Sequence, residues 1–258
     1  EFLINHPDLT DVSLVVTQGV WAPVAVKFAQ IRNIKSEYYL RDETSINIFN
    51  NYHKGIRFLV KYLFSLALFP ISKKFCVDNV YALNNANRII SNSKYMAGQL
   101  LQRFSLHSEV IYPHIDVESL KKSYLDCLNV SIIKGVVIIG DTNLKGVDIF
   151  LSLASEFPNE IFYVFGKDKK FRSNLSNVHH MAWSSVVGLP FSYAKVIIVP
   201  SRWNEAFGRV AVEAKILGIP TIVAECGGLP EAVDFDSNSI AIDYLDFKNR
   251  LANLLYNV

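Results

Sequence analysis

The sequence predicts an α/β protein built on doubly wound parallel sheets. Three observations lead there. Short apolar runs bounded by Gly or Pro, such as residues 196–199 before Pro200, alternate with segments of helical periodicity. The links between them are short, so a strand, helix and strand close as a right-handed parallel unit. Half of the 258 residues are apolar and 19% are charged, so the chain is globular and can bury a sizeable core.

Residues 12–16 predict the first strand, followed by Thr17, Gln18 and Gly19. Residues 22–31 predict a helix, with Pro23 in its first turn. A second strand at 38–40 runs into Arg41 and Asp42, at a strand end where α/β proteins hold ligands. The most apolar stretch, residues 58–71, has Lys54, Arg57, Lys73 and Lys74 at its flanks. At 14 residues it is too short to span a bilayer; a buried core helix and a helix lying in a membrane interface both fit. Residues 87–91 predict a third strand, Ser93 caps a helix over 94–103, and a fourth strand at 110–112 ends at Pro113. The more polar segment that follows predicts a linker. This divides the chain into an N-terminal domain at 1–116, a linker at 117–133 and a C-terminal domain at 134–258.

The second half opens with a strand at 135–140 that ends in Gly140. A loop containing Lys145 and Gly146 leads into a helix at 147–157. Strands at 161–166, ending in Gly166, and at 178–183 follow. After the strand at 196–199 comes a polar turn and then a helix. Phe207, Val210, Ala211, Ala214 and Leu217 lie three and four apart, and Gly218 with Pro220 stops the helix. A strand at 221–223 and a closing helix at 245–256 complete the domain.

The chemistry concentrates where that helix starts. Gly208 lets a ligand approach the backbone. The first-turn amides, about Gly208 to Val210, lack intrahelical acceptors and carry the positive end of the dipole, which suits a phosphate. Glu205 stands just before this point and Glu213 lies eight residues later. Two carboxylates flanking a phosphate site can each hold the paired hydroxyls of a polyol, the layout of a nucleotide sugar.

Glu205, Phe207, Gly208, Arg209, Val210 and Glu213 together resemble the E-x7-E motif of GT-B retaining glycosyltransferases, carbohydrate-active family 4, known as glycosyl transferases group 1. Gly227, Gly228, Pro230 and Glu231 are similar to that family's GG-x-P-E loop. Residues 88–95 and 110–116 resemble two segments of its N-terminal domain, and Lys145, Gly146 and Asp148 resemble its KG-x-D element. The resemblance implies two Rossmann-like domains facing across a cleft. It also implies a strand and a Gly-rich loop at the start of the first domain. Neither is found before Asp8, so that domain is expected to be incomplete.

The resemblance further implies transfer of a sugar from a nucleotide-diphosphate sugar, with retention, to a saccharide or lipid-linked saccharide in surface polysaccharide synthesis. It implies Glu205 at the donor sugar, Glu213 at the ribose and Lys145 at the diphosphate. Asp42 is the candidate facing the transferred sugar. Gly140, Gly166, Gly227 and Gly228 join the donor site. The family's Arg about five residues before the Lys is absent here, and Arg209 is a candidate replacement. A catalytically silent nucleotide-sugar-binding protein and an epimerase of the same fold stay open as rivals.

Composition excludes other classes. The net charge of +2 argues against nucleic acid as a partner. Three cysteines without close spacing suggest neither a disulfide framework nor zinc, and fit a reducing, cytoplasmic setting, with a membrane surface reached through residues 54–74. The six histidines show no metal-ligand spacing, and Asp234 with Asp236 reads as a loop, so no metal and no cofactor are expected. No signal peptide is apparent.

Overall fold

The computed structural model describes residues 11–46, 69–128, 132–168 and 171–256, the side chains of 69–76 excepted. It falls into two compact units, Glu1–Tyr112 and Pro113–Val258.

Among the described residues the first unit holds a four-stranded parallel sheet in the order β1 (Leu14–Thr17), β2 (Lys35–Leu40), β3 (Arg88–Ser91), β4 (Glu109–Val110). Helix α1 (Ala22–Arg32) joins β1 to β2 and ends at Asn33, whose φ of 53° suits an Asn in the left-handed region. Helix α2 (Phe69–Asn85) precedes β3, and α3 (Lys94–Phe104) follows it. The Ser93 hydroxyl accepts from the amide of Met96, the expected cap. Tyr38 and Leu40 on one face of β2 are fully buried, as are Val26, Ala29 and Ala82 of the helices. Alternation puts Tyr39 on the other face. The Tyr38 hydroxyl donates to Asn79 Oδ1 at 3.0 Å, and burial pushes its pKa up to about 12.

The second unit begins with α4 (Val117–Cys127). Residues 117–133, expected as a linker, therefore include an 11-residue helix capped by Asp116. Only Leu120 of that helix is buried, in the core of this unit with Val137, Phe165 and Phe191. One apolar anchor on a polar helix leaves little periodic signal. The six-stranded sheet runs β10 (Ile240–Ala241), β9 (Thr221–Ala224), β8 (Ala194–Val199), β5 (Gly135–Ile139), β6 (Phe162–Gly166), β7 (Val178–Ala182), with every pairing parallel. Val136, Ile138, Val164 and Ile198 face one layer, with α5 (Val147–Glu156) and α9 (Tyr244–Tyr256). Val137, Phe165 and Ile197 face the other, with α4, α6 (Gly188–Ser192) and α7 (Arg209–Ile216). A short α8 (Leu229–Ala232) packs beneath α7 through Leu229 and Ala211. Strands buried on both faces explain the continuous apolar runs.

The expected interfacial or core helix at 58–71 lies almost wholly outside the described residues; the last three of those positions begin α2. Among the described residues no helix is long and apolar enough to cross a membrane.

Candidate functional site

The order of the six-stranded sheet decides where a ligand can sit. From β5 the chain goes to β6 on one side and later returns through β8 on the other. The loops after β5 and β8 therefore diverge, and a crevice opens at the carboxyl ends of these neighbouring strands. The first loop carries Lys145, the second Glu205.

Lys145 is the last residue of a 3-10 turn, Asn143–Lys145, capped by the Thr142 hydroxyl. Its Nζ reaches Glu205 Oε1 at 2.5 Å and lies 5.1 Å from the centre of the Trp203 ring. Its stem crosses Gly140, where a Cβ would come within 2.8 Å of Lys145 Cγ. Glu205 Oε1 also accepts from Ser201 Oγ at 2.7 Å and from Trp203 Nε1 at 2.8 Å. Three donors on one oxygen hold the carboxylate in one orientation. Ser201 and Trp203 were missed by sequence reasoning; polar residues in the turn were the available signal.

The turn itself is clamped. The Arg202 amide donates to the Leu144 carbonyl at 2.9 Å, and its guanidinium pairs with Asp148 at the start of α5. Cys226 Sγ donates to the carbonyls of Ser201 and Trp203, both at 3.2 Å. Burial, with the Glu205 charge second, pushes that thiol's pKa up to about 11. From below, the Gly228 amide donates to the Glu205 carbonyl at 2.7 Å. Gly227 has φ +58°, and a Cβ there would lie 2.3 Å from the Glu205 carbonyl oxygen. A Cβ on Gly228 would lie 2.6 Å from that of Ala206. The GG pair thus exists for close backbone approach.

Gly208, φ +112°, turns the chain into α7, and a Cβ there would meet Leu229 Cδ2 at 2.7 Å. The amides of Arg209 and Val210 in the first turn lack intrahelical acceptors. Phe207 is 8% exposed, so its ring is core, and Val210 packs against the same layer as Ala214. Glu213 is 9% exposed in its side chain, while its partner Arg209 is 60% exposed. Arg209 Nη2 and Nε donate to Glu213 Oε1 at 2.8 and 3.2 Å. The candidate phosphate cation is therefore engaged one turn along its own helix. Gly166 ends β6 beneath Asp141, whose Oδ2 would lie 2.0 Å from a Cβ at that position.

Asp42 stands in the first unit. Its Oδ1 accepts from the Ser45 amide at 3.2 Å and from the hydroxyl of Thr44, capping the turn Glu43–Ser45. Asp236 likewise accepts within its own turn, from Ser239 Oγ at 2.7 Å. Among the described residues no group of three His, Cys, Asp or Glu is gathered to hold a metal ion.

Residues 133–257 match the family model described as glycosyl transferases group 1. The matched residues lie within the second unit, which is similar to that family over this stretch. Of curated proteins, the chain is similar to an uncharacterized glycosyltransferase of Methanocaldococcus jannaschii, 28% identical over 190 residues, covering 69% of this chain and 52% of that protein. It is also similar to a D-inositol 3-phosphate glycosyltransferase of Mycolicibacterium gilvum, 28% identical over 179 residues, covering 58% of this chain and 40% of that protein. The chain thus spans about half the length of these relatives, or less. Among solved structures, Anabaena HepE in complex with UDP-glucose superposes with a TM-score of 0.72 at 16% identity, over 99% of this chain and 71% of that one. The fold is that of the GT-B glycosyltransferases. Within the matched residues, Lys145, Glu205, Gly227 and Gly228 come together, and Glu213 lies along α7 with Arg209.

Proposed function

We propose that this chain belongs to a retaining glycosyltransferase that moves a sugar from a nucleoside-diphosphate sugar to a saccharide or lipid-linked saccharide acceptor. The observation that carries this reading is the Lys145–Glu205 pair at the switch point between β5 and β8, beside the first turn of α7.

The diphosphate sits against the amides of Arg209 and Val210 and against Lys145. As the bond between the anomeric carbon and the phosphate oxygen breaks, charge grows on that oxygen, and these donors are already in place to receive it. Each well-placed donor of this kind contributes about 3 kcal/mol. Glu205, held by Ser201 and Trp203, accepts hydroxyls of the donor sugar. The acceptor hydroxyl attacks from the face the diphosphate leaves, and its proton passes to the departing phosphate. Arg209, exposed, releases Glu213 and turns to the diphosphate, so that Glu213 takes the ribose hydroxyls. Lys145, Arg209 and the helix amides supply the countercharge in this reading. Asp42, whose carboxylate is committed to its own turn, acts as a positioning residue after β2. The setting is surface polysaccharide synthesis on the cytoplasmic side of a membrane. The UDP-glucose held by HepE makes a uridine donor the first to test.

Thermal unfolding against UDP, GDP, ADP and dTDP, for wild type and Glu213→Ala, tests the reading. A nucleotide at a hundred times its dissociation constant stabilises by about 2.7 kcal/mol, a shift of several degrees. One nucleotide is expected to shift wild type and to fail on the variant. No shift with any of them overturns the donor site.

A further inference from the structure

We propose that the first unit binds a negatively charged saccharide, a uronic acid or a sugar phosphate, at the carboxyl ends of β1 and β2. The proposal rests on the glycosyltransferase reading, in which this sugar belongs to the acceptor. A cavity of about 360 Å³ lies there, lined by Val16, Thr17, Gln18, Trp21, Tyr39 and Arg41. That volume falls in the range of small-molecule sites, about 300–1,000 Å³. The position is the strand end where parallel α/β sheets hold ligands.

The lining has a particular chemistry. Tyr39 and Arg41 are two residues apart and share the face of β2 opposite the buried Tyr38 and Leu40. The Arg41 guanidinium carbon lies 5.2 Å from the centre of the Tyr39 ring, which orients the guanidinium plane. Among the described residues no carboxylate forms an ion pair with Arg41. Arg88, which opens β3 at its amino end, differs: it binds both Glu37 and Glu109. Trp21, in the turn after β1, is 74% exposed, an unusual state for the largest apolar side chain. Sugar rings present C–H faces that pack on such aromatic surfaces, and Thr17 and Gln18 offer partners for hydroxyls. A neutral sugar leaves the guanidinium fork without an anionic partner, whereas a carboxylate or phosphate engages it with two hydrogen bonds. Arg41 alone is charged among the lining residues, which matches one charged sugar rather than a polyanion.

The test is saturation-transfer NMR on the whole chain with methyl β-D-glucuronide, glucose 6-phosphate and methyl β-D-glucoside, with wild type, Arg41→Gln, Arg41→Lys and Trp21→Ala. Wild type is expected to bind at least one of the two anionic sugars at least tenfold more tightly than the glucoside, and the tighter of the two identifies the anion. Arg41→Gln should erase the preference and Arg41→Lys restore part of it. Trp21→Ala should weaken all three ligands. Equal affinity for charged and neutral sugars, no saturable binding of any, or a preference that survives Arg41→Gln each overturns the proposal. A UDP titration of the same samples reads the second unit separately. Saccharide binding without UDP binding sinks the transferase reading alone, and the reverse sinks this site alone.

Discussion

The two units treat charged groups at their strand ends in opposite ways. In the second, Lys145 is bound to Glu205, Arg202 to Asp148 and Arg209 to Glu213. In the first, Arg41 stacks on Tyr39 beside an open cavity, and Asp42 turns its carboxylate onto its own loop. The second unit is preorganised: its charges hold one another in place. The first offers an aromatic surface and, in Arg41, a cation with no carboxylate partner among the described residues. Fixed dipoles suit a step in which charge develops, and an open cavity suits recognition.

The largest test of this contrast compares two glycines. Gly227 and Gly19 both have positive φ, +58° and +56°, but a Cβ on Gly227 meets the Glu205 backbone while nothing lies within 4 Å of one on Gly19. Gly227→Ala is expected to cost more than about 4 kcal/mol, an exceptional loss for one residue, and Gly19→Ala only about 1–2 kcal/mol of backbone strain. Calorimetric unfolding measures both. Equal losses would mean that the GG loop is not packed against the turn as described.

Next in size, Glu205→Gln keeps the shape of the side chain and removes the charge that Lys145 meets. Transfer is expected to fall by about 10²-fold or more with folding intact. Asp42→Asn, in a positioning role, should raise the acceptor KM by no more than about tenfold and leave kcat alone. A loss of kcat in Asp42→Asn as deep as that in Glu205→Gln would restore a reacting role to Asp42.

A smaller effect separates the two cations of the second unit. Lys145→Ala is expected to weaken UDP binding by about tenfold or more, the loss of a charge-assisted hydrogen bond. Arg209→Ala should cost less, because losing the cation also frees Glu213. Calorimetric titration with UDP compares them. The exchange of Arg209 between Glu213 and phosphate fails as an idea if Arg209→Ala leaves affinity unchanged.

The smallest effect is a pH dependence. The folded Cys226 thiol, raised to about 11 against an ordinary 9, keeps its proton where the unfolded chain loses it. Its contribution to stability is complete below about pH 9 and is lost as the pH rises toward 11. Tyr38, raised to about 12 from 10, adds a loss of the same sign at higher pH. Stability from denaturant titrations should therefore fall from pH 9 upward, and Cys226→Ala should flatten the first part of that fall.

Much of the second unit was legible because its signals are local. Gly218 with Pro220 ends α7, and Glu205 to Glu213 sits within one turn and one helix. The clamps around Glu205 were not legible. Lys145 meets Glu205 across 60 residues, Arg202 meets Asp148 across 54, and Cys226 holds a turn 25 residues before it. Helix α4 read as linker because only Leu120 is buried on it. Helix α2 ends in the polar run Asn84–Asn85, without the Gly or Pro that usually marks a stop, and those two Asn side chains donate back to the carbonyls of Val80 and Tyr81.

By itself, the sequence determined the alternation of strands and helices, the glycines that permit close approach, and the two carboxylates that flank a helix start. These are consequences of periodicity and of steric limits on single residues. The tertiary structure alone decided which side chains meet. The order β9-β8-β5-β6 put the loops after β5 and β8 beside each other and so brought Lys145 to Glu205. Among the described residues it also left Arg41 without a carboxylate partner, whereas the Arg209–Glu213 pair, four residues apart on α7, needed only the helix. An ion pair is a matter of distance in space, and for residues far apart in sequence the packed sheet sets that distance.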